Sequence, residues 1–128
     1  MTKIIINTEN APSAIGPYSQ AISNNDEMIF TAGQLGIDPE TGKLISQNIE
    51  DQTHRVIQNI QNILSSANFL LDDVIKTTVF MTNLDDFDKM NKIYSEYFVN
   101  NPPARSTVQV SGLPLKAQVE IECIAIRK

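Results

Sequence analysis

The chain draws any chemistry it performs from a short inventory. It has one histidine, His54, and one cysteine, Cys123. A lone imidazole offers neither a histidine-based metal site nor a second base. His54 falls mid-helix beside Arg55 and reads as a surface or packing residue. Cys123 alternates with Val119, Ile121 and Ala125, so it reads as a buried thiol on the core-facing side of a strand. It has no partner for an internal disulfide. Gly33 and Gly36 lack the strand-to-helix context of a phosphate-cradling loop. No serine has a credible base beside it in the pattern. The acidic turn Asp85-Asp86 reads as helix capping, so no metal is expected.

What remains is near the C-terminus. Arg105 opens a strand-like run and shares its face with Thr107 and Gln109, while Glu120 and Glu122 share a face of the next run. If the two runs close as a hairpin with Val110 opposite Ala117, Thr107 faces Glu120 and Arg105 faces Glu122. Guanidinium, hydroxyl and two carboxylates would then be gathered together. The plain alternative is a cross-strand ion pair worth about 0.2–1 kcal/mol. Against it, Pro102-Pro103 stiffens the approach to Arg105, and a guanidinium near a subunit boundary suits bidentate capture of a carboxylate.

The elements that must position these residues follow from pattern. Strands are expected at Lys3–Ile6, 18–23, 28–33, Val74–Met81, 105–110 and 118–126. Helices are expected at 49–67, with Ile49, Val56, Ile60 and Ile63 on one stripe, and from an Asn83 N-cap to about Phe98, with Phe87, Met90, Tyr94 and Tyr97 on one stripe. The order is β-β-β-α-β-α-β-β. This is an α+β domain, a six-stranded mixed sheet with two helices on one face. Two helices cover only one face of such a sheet. The other face is not polar, since both Met28 and Phe30 alternate with Ile29 and Thr31. A bare apolar face predicts a closed oligomer meeting on its sheets, with a ligand cleft between subunits.

The 128 residues suit a single domain spanning 1–128. Net charge is -5 with the ten Lys and Arg scattered, and the sequence pI is about 4.7. A nucleic-acid reader normally carries a basic patch, so no nucleic-acid partner is expected. No window is apolar for long enough to cross a bilayer, and Ile4-Ile5-Ile6 is too short for a signal-peptide core. A reducing cytoplasm is the expected location.

Several segments resemble the RidA family, also called the YjgF family, over nearly the whole length. They are Ala14-Ile15-Gly16-Pro17-Tyr18-Ser19-Gln20, Thr31-Ala32-Gly33-Gln34, Thr77-Thr78-Val79-Phe80, Asn83-Leu84-Asp85-Asp86-Phe87, Pro103-Ala104-Arg105-Ser106 and Val119-Glu120-Ile121-Glu122. Each is weak alone, and their order and spacing make the set specific. The resemblance implies a chorismate-mutase-like fold and a homotrimer with three sites between subunits. It implies hydrolysis of 2-imino acids (2-iminobutanoate and 2-iminopropanoate), or their enamines, to 2-keto acids and ammonia, without a cofactor. It places the carboxylate-binding arginine at Arg105, the water-activating glutamate at Glu120, and ligand contacts at Tyr18, Gly33 and Asn91. Thr107 stands where many members have cysteine, also on the substrate side. Some members of the family are credited with regulatory contacts and some with ribonuclease activity. A ligand-sensing or partner-binding module and, more remotely, a ribonuclease are the alternatives.

Overall fold

In the computed structural model, which describes residues 2–25 and 27–127, the strands are β1 Lys3–Ile6, β2 Ala21–Asn24, β3 Met28–Thr31, β4 Gln34–Leu35, β5 Val74–Met81, β6 Ala104–Gln109 and β7 Val119–Ile126. The helices are α1 Ile49–Ser66 and α2 Phe87–Tyr97. Local chemistry explains the helix ends. Asn48 caps α1 by accepting from Asp51 N at 3.0 Å, and Glu50 and Asp51 complement the positive end of the dipole. No basic residue lies in its last turn. The cation comes instead from the far end of the chain, where Arg127 Nη2 donates to Ala67 O at 2.6 Å. Before α2, Asn83 accepts from Asp85 N at 2.9 Å, in a short 3₁₀ turn that leads into the helix.

The helical stripe Val56, Ile60 and Ile63 meets Met90 and Tyr94 of α2 and packs on Ile29, Val79, Ile121 and Cys123 of the sheet. Both helices therefore cover one face, as the pattern indicated. Burial pushes the Cys123 thiol up to about 12, which makes it a core residue rather than a nucleophile.

The sheet corrects two expectations. First, it has seven strands in the order β1-β2-β3-β7-β5-β6, with β4 also pairing β7. The added strand β4 is only two residues long, too short for any periodicity to register. It continues β3 along β7, but the register slips by one residue across Ala32-Gly33, from Phe30↔Ile124 to Gln34↔Ile121. This is the signature of a bulge. Tyr18 precedes the ordered part of β2, so it belongs to a loop rather than a strand.

Second, β6 and β7 do not form a hairpin. β5 lies between them, parallel to β6 and antiparallel to β7. The segment 110–118 steps over the end of β5, with Val110 N donating to Met81 O at 2.8 Å and Thr82 N donating to Gln118 O at 3.2 Å. Two strand spacings amount to about 10 Å, a gap a segment of this length spans easily. A hairpin would have left β5, the most β-prone run in the chain, with an unpaired edge.

The face away from the helices is bare in a single chain. Cross-strand neighbours place Ile5, Ile22, Phe30 and Ile124 in one row on it. Phe30 and Ile126 are 44% and 39% exposed, whereas Ile29 on the other face is fully buried. Among the described residues, no helix is long and apolar enough to cross a membrane.

Candidate active site

The strand order decides which residues of interest meet. Thr77 is level with both Arg105 and Cys123, so these three project toward the helices. Phe80 is level with Glu120, and both project from the opposite face. Arg105 and Glu120 of one chain therefore lie on opposite sides of the sheet with β5 between them. The expected pairings of Arg105 with Glu122 and Thr107 with Glu120 do not form. The structure gathers the candidate residues into two separate groups.

The first group surrounds Glu120. A cavity of about 270 Å³ is lined by Tyr18, Gly33 and Glu120 together with apolar side chains that include Ile15, Leu35 and Ile37. Gly33 lies in the bulge, directly under the carboxylate. A Cβ there would stand 2.7 Å from both Cδ and Oε2 of Glu120, so glycine is what lets the carboxylate keep this position. Burial raises the Glu120 carboxyl above its ordinary range, and the like charge of Glu122 raises it further. Tyr18 is half exposed, and its hydroxyl accepts from Ile15 N at 3.2 Å within its own loop. The ring is thus held as a wall at the cavity mouth.

The second group surrounds Arg105 on the edge strand β6. Its guanidinium carbon lies 4.7 Å from the Tyr94 ring centre and 5.6 Å from that of Phe87, both on the α2 side. These ring faces fix the plane of the fork and stabilise the cation. Tyr94 is itself held by a 2.8 Å hydrogen bond between its hydroxyl and that of Thr77. Burial raises the Tyr94 phenol, while Thr77 and the Arg105 cation pull it down by lesser amounts. The depression beside Arg105 is lined by Asn91, Ser95, Phe98 and the Pro102-Pro103 pair, with no acidic side chain. The guanidinium therefore keeps its charge available to an incoming anion. Thr107 shares its face, and its hydroxyl is buried without a hydrogen-bond partner.

Among the described residues, no group of three or more His, Cys, Asp or Glu side chains is arranged to hold a metal ion. His54 Nδ1 lies 2.9 Å from the Tyr97 hydroxyl, a packing contact between the helices.

Sequence reasoning expected Arg105, Thr107, Glu120, Tyr18, Gly33 and Asn91 about one site; within a chain Tyr18, Gly33 and Glu120 line one cavity, whereas Asn91 and Arg105 line a separate depression. The same reasoning read Phe87 and Tyr94 as core only. Tyr94 is core and also the seat of Arg105. Its place three residues after Asn91, on the same side of the helix, was the available signal.

The family model described as Endoribonuclease L-PSP matches residues 8–127. A RutC family protein of Pyrococcus abyssi is 52% identical over 128 residues, covering 100% of both chains. The Homo sapiens protein named 2-iminobutanoate/2-iminopropanoate deaminase is 42% identical over 123 residues, which cover 96% of this chain and 89% of its own. Among solved structures, E. coli TdcF with bound serine superposes with a TM-score of 0.93 at 40% identity, covering 98% of this chain and 100% of that one. With its fold, its motifs and nearly its full length matched, the chain belongs to the Endoribonuclease L-PSP family, in which the Rid and RutC proteins are found.

Proposed function

We propose that this chain hydrolyses 2-imino acids and their enamine tautomers to 2-keto acids and ammonia, as a homotrimer in which the Arg105 side of one subunit completes the Glu120 cavity of the next. One observation carries the reading. An unneutralised guanidinium and a carboxyl of raised pKa stand on opposite faces of one sheet, each beside an open depression. A single chain thus holds half a site on each side. The bare apolar face supplies the surface on which copies would meet.

The chemistry fits these groups. The substrate carboxylate pairs with the Arg105 fork, and Asn91, which lines the same depression, offers a further hydrogen bond to it. The protonated imine carbon is electrophilic, so water adds to it without a covalent enzyme nucleophile. Glu120 takes the proton that water loses, giving a neutral carbinolamine. The same proton then goes to the amine nitrogen, the C–N bond breaks as the keto group forms, and Glu120 relays the hydroxyl proton to the departing ammonia, which leaves as ammonium. The carboxyl returns to its starting state. A carboxylate of raised pKa is the stronger base for the first transfer. Tyr18 and the apolar wall keep bulk water out. The human relative's name agrees with this substrate class. RNA cleavage fits less well, because a chain of net charge -5 with one histidine offers neither a basic groove nor an imidazole pair.

The test couples the protein to an enzyme that releases 2-iminobutanoate from threonine and measures semicarbazide trapping of the imine. The protein is expected to lower trapping, and Arg105→Ala to abolish that effect. Mixing Arg105→Ala with Glu120→Gln under conditions of subunit exchange should restore part of the activity, because some sites then receive both intact halves. No acceleration by the wild-type protein would sink the catalytic reading and favour a carboxylate sensor. Activity with no restoration on mixing would sink the shared site.

A further inference from the structure

The outer wall of the Glu120 cavity comes from chain without regular structure, between β1 and β2, and one buried amide makes four of the hydrogen bonds that hold it. Gln20 is 3% exposed. Its Oε1 accepts from Thr8 N at 2.7 Å. Its Nε2 donates to Pro12 O at 2.8 Å and Thr8 O at 3.0 Å, with Ala11 O at 3.3 Å. The whole carboxamide is committed to one segment, residues 8–12. The backbone of Gln20 belongs to the other side of the cavity, since Ala32 N donates to Gln20 O at 2.8 Å, one residue before Gly33. Gln20 thus bridges the loop that carries Pro12, Ile15 and Tyr18 to the bulge beneath Glu120. Two other anchors hold this loop, a 2.7 Å bond from Asn62 Nδ2 to Asn10 O and the buried methyl of Ala11. The first fixes Asn10 and, through the 3.2 Å bond from Asn10 N to Thr8 Oγ1, reaches Thr8; the second fixes Ala11; neither holds Pro12.

We infer that Gln20 is a positioning residue, whose carboxamide latches the Tyr18 loop over the Glu120 cavity and so sets how closely substrate is enclosed. Such a wall touches substrate and transition state alike, so loosening it weakens binding more than it slows the chemical step. The kinetic half of this inference rests on the imino-acid reading, and the structural half stands without it.

Two variants test it. Gln20→Ala removes the latch. Gln20→Glu keeps the size and the acceptor for Thr8 N but loses both amide hydrogens, so it retains the packing if the alanine variant does not fold. In the protein without ligand, hydrogen exchange across residues 8–18 should quicken at least about tenfold, with helix α1 unchanged as the internal reference. With imine supplied, KM should rise about tenfold and kcat stay within about twofold. Unchanged exchange in residues 8–18 in both variants would overturn the latch whatever the kinetics. Exchange that quickens throughout the chain, with KM unchanged, would overturn it too, because the amide would then merely stabilise the fold. If the wild-type protein shows no turnover, the imino-acid reading fails on its own. Exchange, together with the Kd for 2-ketobutanoate, then decides the latch.

Discussion

The Arg105 half and the Glu120 half are built in different ways. Arg105 stands on regular structure, an edge strand laddered onto β5 beneath two aromatic rings of helix α2. Glu120 also stands on a regular strand, but what faces it is irregular: the bulge at Gly33, the loop latched by Gln20, and the segment 110–118, where Leu115 and Lys116 both have φ of 59°. Left-handed backbone at non-glycine residues costs on the order of 1 kcal/mol or more each. The difference follows from the chemistry. An anchoring cation needs a fixed fork and no competing carboxylate, and ring faces and prolines provide that cheaply. A carboxyl held above its ordinary pKa needs to be kept from water, and several segments have to close around it. On the base side two adjacent residues of types that disfavour this backbone are left-handed, whereas the approach to the anchor has Asn101 at φ 48°, a residue type that tolerates it.

That contrast is broken most severely at the base. Glu120→Gln keeps the shape of the cavity wall but removes the proton acceptor, and its rate should fall by about 10²–10⁴-fold with KM nearly unchanged. Equal losses in rate and affinity would show that Glu120 binds substrate rather than activating water. On the anchor side, Arg105→Ala should lower kcat/KM by about 100-fold, the worth of one or two charge-assisted hydrogen bonds. Arg105→Lys should recover only part of the loss. Lysine keeps the charge but cannot present a planar fork or stack on Tyr94 in the same way. Full rescue by lysine would mean that charge alone anchors the substrate.

A smaller effect probes the close approach beneath the base. In Gly33→Ala the new methyl would meet the Glu120 carboxylate at 2.7 Å, so the side chain must swing away. Misplacing a catalytic group by that order of distance should cost about ten- to a hundredfold in kcat. The same substitution at Gly112, whose Cβ would meet nothing, should leave the rate unchanged. Equal effects at the two glycines would remove the argument from contact.

The same contrast explains what could be read from the sequence. Helix α1, with its stripe of Val56, Ile60 and Ile63 and its Asn48 cap, is written in local periodicity and capping chemistry. So is β7, whose alternation put Cys123 inside and Glu120 outside. The bare sheet face followed from simple counting of helices against strands. Strand order was not legible, because nothing local to 105–126 says that β5 will insert between β6 and β7. That choice belongs to β5, some thirty residues earlier, which needs a partner on each edge. The walls of the cavity were not legible either. They are held by single amides such as Gln20 and Asn59, the latter bonding the carbonyls of Leu35 and Ile37 at 3.1 and 2.9 Å. A single contact of this kind leaves no periodic trace.

The finest test of the comparison is electrostatic. Burial and the Glu122 charge both favour the protonated form of Glu120, so its titration in the fold lies above the ordinary value of 4.5. As a base it must be ionised, so kcat/KM should fall on the acid side along a limb set by that raised pKa. Glu122→Gln removes the like charge and should move the limb to lower pH, though only in part, since burial is the larger cause. The sign for stability is the reverse of the usual carboxylate. Between the unfolded value and the raised folded one, the native state binds more protons than the unfolded chain, so stability falls as pH rises through that window. Glu120→Gln removes this loss. The variant should melt higher than wild type at neutral pH, and its advantage should vanish below the ordinary glutamate range. An inactive variant that gains stability only above that range would mark Glu120 as a base held against its own solvation. A variant destabilised at every pH would instead make the carboxylate a structural hydrogen-bond acceptor.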